Sequence, residues 1–102
     1  MTAGTIPVEV VAWVTRFVGG NGSNRKVFDE PLPPDATVRT VLRDLSSRYP
    51  DLQQALWEDG QIGPHVEVLV NDAVLGVSHE LDSPVKPGDR IALVGAYLGG
   101  AA

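Results

Sequence analysis

A single change of hydrophobic period, bracketed by prolines, constrains this chain more than any other feature. Pro31, Pro33 and Pro34 hold the backbone out of a helix until Asp35. Each proline lacks an amide proton and disfavours helical geometry in the residue before it. Beyond them, Val38, Val41, Leu42, Leu45 and Tyr49 fall at helical spacing and form one apolar face. Thr37, or in its place Asp35, is the expected N-cap, because a side-chain oxygen there accepts from the unpaired amides of the first turn. Pro50 stops this helix at Tyr49. Asp51 then caps a shorter helix carrying Leu52, Ala55 and Leu56, which Glu58-Asp59-Gly60 ends. An amphipathic helix must bury its apolar face, and the flanking segments read as the strands it covers.

Val8 to Val18 is rich in β-branched and aromatic residues and reads as a long strand. Val8, Val10, Ala12 and Val14 share one face; Val11, Trp13 and Phe17 lie on the other. The Gly19 to Asn24 turn cluster and a short strand from Arg25 to Phe28 complete a long-loop hairpin. Val66, Val68 and Val70 alternate with Glu67 and Leu69, the period of a half-buried strand. Asn71-Asp72 turns the chain into a return over Val74 to Val77. Lys86-Pro87-Gly88-Asp89 is a second turn, and Ile91 to Val94 is the last strand. The order β-β-α-β-β gives an α+β class: a mixed four- to five-stranded sheet with one main helix packed across it. The 102 residues make a single domain.

Composition excludes several functions. There is no cysteine, hence no disulfide framework, thiolate nucleophile or cysteine-ligated zinc. The eight lysines and arginines are scattered within a net charge of −5, so no nucleic-acid partner is expected. No apolar run approaches the ~18 residues of a membrane span, and Met1 to Pro7 is too short and too weakly apolar for a signal peptide. A soluble, cytoplasmic protein without a membrane partner is expected. His65 and His79 are far apart in sequence and lack carboxylates at ligand spacing, so no metal site is assigned. The serines form no nucleophile elbow. Gly20-Asn21-Gly22 opens no helix and reads as a hairpin loop, not a dinucleotide fingerprint. Asp29-Glu30 and Glu58-Asp59 read as solvated pairs beside turns. No catalytic residue is assigned, and none of these features makes the chain an enzyme.

Trp13 and Phe17 admit two readings. On the open side of the sheet they would form an apolar patch for a partner. Alternatively, Trp13 packs under Trp57 or the extra loop.

The chain closes Val94-Gly95-Ala96-Tyr97-Leu98-Gly99-Gly100-Ala101-Ala102. A diglycine after a final strand buries no side chain and loses the most entropy on ordering. It suits an end that must enter a narrow channel. Residues 96–102 are expected to form a flexible tail. The stretch Leu81-Asp82-Ser83-Pro84-Val85-Lys86-Pro87-Gly88-Asp89-Arg90, a hydrophobic strand, and Gly99-Gly100 soon after resemble the MoaD/ThiS family of ubiquitin-like sulfur carriers. The strand, Gly-rich turn, strand, helix and Val-Leu-Val-Asn-Asp segment before it extend the resemblance over roughly Val8 to Gly100.

That resemblance implies a β-grasp fold and a carrier on which other enzymes act. An E1-like partner of the MoeB/ThiF type adenylates the C-terminal glycine with ATP. A sulfur donor converts the acyl-adenylate to a thiocarboxylate, and a synthase accepts the sulfur for cofactor, amino-acid or secondary-metabolite biosynthesis. The carrier itself binds no cofactor. Gly100 is then the adenylation and thiocarboxylate site, and Tyr97, Leu98 and Gly99 are the tail that delivers it. Ala96 to Gly100 reach roughly 17 Å when extended. Ala101 and Ala102 depart from the family pattern. They leave Gly100 without a free carboxylate, so a trimming protease, of the JAMM metalloprotease type, is implied. Two alternatives stay open: a ubiquitin-like modifier conjugated through Gly100, and a non-covalent β-grasp interaction module.

Overall fold

The computed structural model describes residues 4–95. Its strands are β1 (Thr5–Val11), β2 (Arg25–Pro31), β3 (Trp57–Glu58), β4 (Gln61–Ile62), β5 (Val66–Val70), β6 (Ala73–Val74) and β7 (Ile91–Gly95). Its helices are α1 (Val38–Ser46), α2 (Pro50–Leu56) and a 3₁₀ helix over Ala12–Val18. Five strands form one sheet in the order β2-β1-β7-β5-β6. β1 and β7 run parallel at its centre, and the other neighbours are antiparallel. β3 and β4 form a separate small ladder.

Alternation decides which face is covered. Ile6, Val8 and Val10 of β1, Val66, Val68 and Val70 of β5, and Ile91 and Leu93 of β7 all point inward. They meet Val38, Val41, Leu42 and Leu45 of α1 and Leu52 and Leu56 of α2 in one core. A mixed sheet grasping a helix in this order is the β-grasp, ubiquitin-like fold that the family resemblance implied.

The helix begins as expected. Thr37 caps α1, accepting at Oγ1 from the Thr40 amide at 3.2 Å, while Thr40 Oγ1 accepts from the Thr37 amide at 2.8 Å. Leu81 to Val85 add a second cap. The carbonyls of Ser83 and Leu81 accept from the amides of Val38 and Arg39 at 3.1 and 2.7 Å, pairing donors that a helix start leaves free.

Five local expectations are corrected. β1 ends at Val11, because Ala12 takes a left-handed φ of 57° and turns the chain into the 3₁₀ helix. Val14 and Val18, four residues apart, are then buried together. Thr15, fully buried, ties this turn to the following loop: its Oγ1 donates to the Ala12 carbonyl at 2.8 Å and accepts from the Gly22 amide at 3.0 Å. Second, α1 stops at Ser46, and Pro50 opens α2 with Tyr49 as its N-cap. Proline suits that first helical position, where its missing amide proton has no partner to lose; Asp51 sits inside the first turn. Third, Glu58-Asp59-Gly60 lies in a hairpin, where Asp59 and Gly60 carry the two positive φ angles, 53° and 78°, of its tight turn. The second strand also runs to Pro31, beyond Phe28, and the return strand is shorter than Val74 to Val77.

Candidate functional site

The motif in the last third of the chain is, residue by residue, a device for holding β7. Leu81 is buried in the core, and its segment caps α1. Asp89, also buried, clamps the turn before the strand. Its Oδ2 accepts from the Lys86 amide, and its Oδ1 accepts from Asn71 Nδ2, both at 3.0 Å. Asn71 reciprocates across the β5–β6 turn, its Oδ1 accepting from the Arg90 amide at 3.0 Å. Burial pushes the Asp89 carboxyl up, but these hydrogen bonds and the Lys86 charge outweigh it and hold the group below the usual aspartate range.

β7 ends at Gly95, paired with Val66. Gly95 has the inward parity of Ile91 and Leu93, and the Trp13 ring lies on it. A Cβ at Gly95 would overlap the indole Nε1 and approach Cε2 and Cζ2 at 2.5 and 2.8 Å. Phe17 meets the indole edge-on, with ring centroids 5.7 Å apart and an interplanar angle of 78°. Both aromatic residues are half-buried against the core. Trp13 therefore lies on the helix-covered side of the sheet, not on its open side, because the 3₁₀ turn swings it there. Trp57 is engaged elsewhere. Its indole donates to Ser46 Oγ at 3.0 Å, and the Arg43 guanidinium sits over its ring at 5.7 Å.

The open face of the sheet carries Pro7, Glu9, Val27, Leu69 and Ala92, flanked by Arg25 and Arg90, around a shallow hollow. Arg25 pairs with Glu9 at 2.7 Å, and Arg90 pairs with Asp72. Val27 is 56% exposed. Another hollow lies at Arg39, Ile62, Leu75 and Asp82. Its guanidinium is committed within the protein: Nε to Asp82 Oδ1 at 2.7 Å and Nη1 to the Gly60 carbonyl at 2.6 Å. The contact with Asp82 holds the guanidinium in its charged form and the carboxyl below the usual range.

Of the remaining polar candidates, Glu30 departs from expectation. It is 2% exposed, not solvated, and pairs through Oε2 with Arg48 Nη2 at 2.6 Å. Its Oε1 has no partner, and burial raises its pKa in spite of Arg48. Glu58 and Asp59 are exposed, as is His65, and the His79 ring meets Ser78 Oγ at 3.0 Å. Among the described residues, no group of three or more His, Asp or Glu gathers as a metal-ligand set. No helix among them is long and apolar enough to cross a membrane. Tyr97, Leu98, Gly99, Gly100, Ala101 and Ala102, and the expected tail over 96–102, lie outside the described residues. The site is thus visible at its root, Gly95, with the aromatic pair on one face of β7 and the open sheet on the other. Sequence reasoning missed the Trp13–Gly95 contact, for which the sequence carries no local signal; the i, i+4 spacing of Trp13 and Phe17 marks only their mutual contact.

A model described as the ThiS family matches residues 8–100. The chain is 36% identical over 66 residues to small archaeal modifier protein 3 of Haloferax volcanii, covering 65% of this chain and 72% of that protein. It is similar to the crystal structure of SAMP1 from Haloferax volcanii, with a TM-score of 0.68 and 26% identity, covering 95% of this chain and 100% of the other. A chain of the Amycolatopsis orientalis BexX/CysO complex aligns with a TM-score of 0.67 and 25% identity, covering 91% and 99%.

Proposed function

The chain belongs to the ThiS family of ubiquitin-like proteins, and from that premise we propose that it is a sulfur carrier working through Gly100. The observation that carries this reading is where the family match stops: at Gly100, the second glycine of the pair, and not at Ala101. A carboxylate is a poor electrophile at neutral pH. An E1-like partner overcomes this by letting the Gly100 carboxylate attack the α-phosphorus of ATP, expelling pyrophosphate. A donor at the oxidation level of sulfide then attacks the acyl carbon, AMP leaves, and a thiocarboxylate remains for an accepting synthase. The carrier supplies a docking surface, for which the open face around Val27 and Leu69 is suited, and a thin chain end. ATP belongs to the partner. Gly100 is joined to Ala101 in this sequence, so a protease must first cut that bond.

A second reading, conjugation of Gly100 to lysines of other proteins, draws support from the 36% identity to a protein named as a modifier. The intact mass of the protein recovered from its own cells separates the two. Loss of both alanines with one oxygen replaced by sulfur supports the carrier. Loss of the alanines without sulfur, together with adducts on other proteins, supports the modifier. A chain still ending at Ala102 while the pathway is active refutes both.

A further inference from the structure

We propose that Trp13 is a positioning residue for the chain end, and that Gly95 is glycine in order to admit its ring. The proposal rests on the role given to Gly100 above, but its physical basis is separate. Gly95 does not have a positive φ, so its backbone does not demand glycine. Space does: the indole fills the volume a side chain would occupy. Phe17 backs the indole edge-on, and Phe17 itself borders Asp51, Gln54 and Ala55 of α2. The buried Thr15 fixes the turn that presents both rings. The last rung of β7, Gly95 opposite Val66, is therefore clamped on its inner face by a side chain anchored on another element.

This matters because Gly100 is five residues beyond the clamp. Release of Val94 and Gly95 would add two residues to the stretch between Gly100 and the nearest clamped rung among the described residues. Tether length alone changes effective concentration by under about 2-fold. Loss of a fixed starting direction is the larger effect, since misplacement of a reacting group by ~1 Å can lower a rate by up to ~100-fold.

Chains ending at Gly100 are assayed for ATP–pyrophosphate exchange with the activating enzyme. Trp13→Ala should lower kcat about 10-fold and leave KM for the carrier within about 3-fold, because the open face is untouched. Trp13→Phe should restore most of kcat. Gly95→Ala, which displaces the ring, should reproduce the loss alone but add under about 2-fold in the Trp13→Ala background. Unchanged kinetics, or a fully additive Gly95→Ala, would overturn the proposal. So would a raised KM with normal kcat, which would make Trp13 a partner contact. Amide exchange gives a readout without the enzyme. In Trp13→Ala, Val94 and Gly95 should exchange at least about 10-fold faster while Val68 and Leu93 keep their protection; unchanged Val94 and Gly95 would overturn it. If the wild-type chain is not adenylated, the carrier reading falls, and the exchange result still decides this proposal.

Discussion

Asp89→Asn isolates the buried charge that holds the turn before β7. Asp89 is 4% exposed, and its two oxygens serve different donors, Asn71 Nδ2 and the Lys86 amide. Asparagine keeps the shape but converts one acceptor into a donor, which then faces another donor. Flipping Asn71 gives no relief, because its Oδ1 already accepts from the Arg90 amide. Lys86 Nζ, 3.7 Å away on a side chain 79% exposed, adds little. The net loss is one hydrogen bond to a charged acceptor plus a mispaired donor, about 2–3 kcal/mol. Against a typical domain stability of ~5–15 kcal/mol, that is a large fraction, and it should lower Tm by roughly 10–20 °C. Urea unfolding should show a lower midpoint at unchanged m.

The pH dependence fixes the sign. Asp89 is held below its unfolded pKa, so its contribution is complete above that value and is lost as pH falls through the folded one. The gap between wild type and Asp89→Asn should therefore be full above about pH 4 and shrink on further acidification. A cost under about 0.5 kcal/mol, or a gap that does not shrink, would refute the clamp.

Three further outcomes follow from the same geometry. Thr37→Ala removes the α1 cap and should cost about 1 kcal/mol, while Thr37→Ser restores most of it in the same urea titration. Ala12→Gly should stabilise by up to ~1 kcal/mol, because glycine adopts the left-handed turn without a Cβ clash; a destabilised variant would show that the turn is unstrained. Glu30 has the opposite sign to Asp89. Its raised pKa means that the charged form is penalised in the fold, so stability should rise as pH falls through the folded pKa towards the unfolded one. Glu30→Gln should lose that rise and change stability by less than about 1 kcal/mol at pH 7, because Arg48 is half exposed and keeps Asp44 as a partner; a pH profile identical to wild type would argue against it.

The parts of the fold legible in the sequence were those in which one period had no rival. Val66, Val68 and Val70 alternate cleanly, Thr37 precedes a helical run, and Asn71-Asp72 and Lys86 to Asp89 carry turn chemistry. The stretch from Ala12 to Val18 had two consistent periods. Val10, Ala12 and Val14 fit a strand; Val14 with Val18, and Trp13 with Phe17, fit a helical turn. The buried Thr15 and its partners at Ala12, Gly20 and Gly22 decide between them, and neither period marks a threonine as the residue that closes the turn. Pro50 was ambiguous for a related reason, since proline ends one helix and begins the next with the same missing proton. At the candidate site, the motif from Leu81 to Asp89 was readable as that of the family, and the structure gives its residues their part in holding β7. The contact of Trp13 with Gly95 was not readable, because it joins residues that only the parallel pairing of β1 and β7 brings together.

The order of strands has a mechanical consequence. β7 lies between β1 and β5, hydrogen-bonded to both, with an outer strand beyond each. An enzyme that grips the chain beyond Gly95 and draws it into a channel pulls along the axis of this strand. Such a load falls on two ladders in shear, with the bonds of both strained together. Had the chain end issued from an edge strand such as β6, the same pull could peel one ladder open bond by bond. A strand tied into the middle of the sheet can bear such a load while the domain around it stays closed.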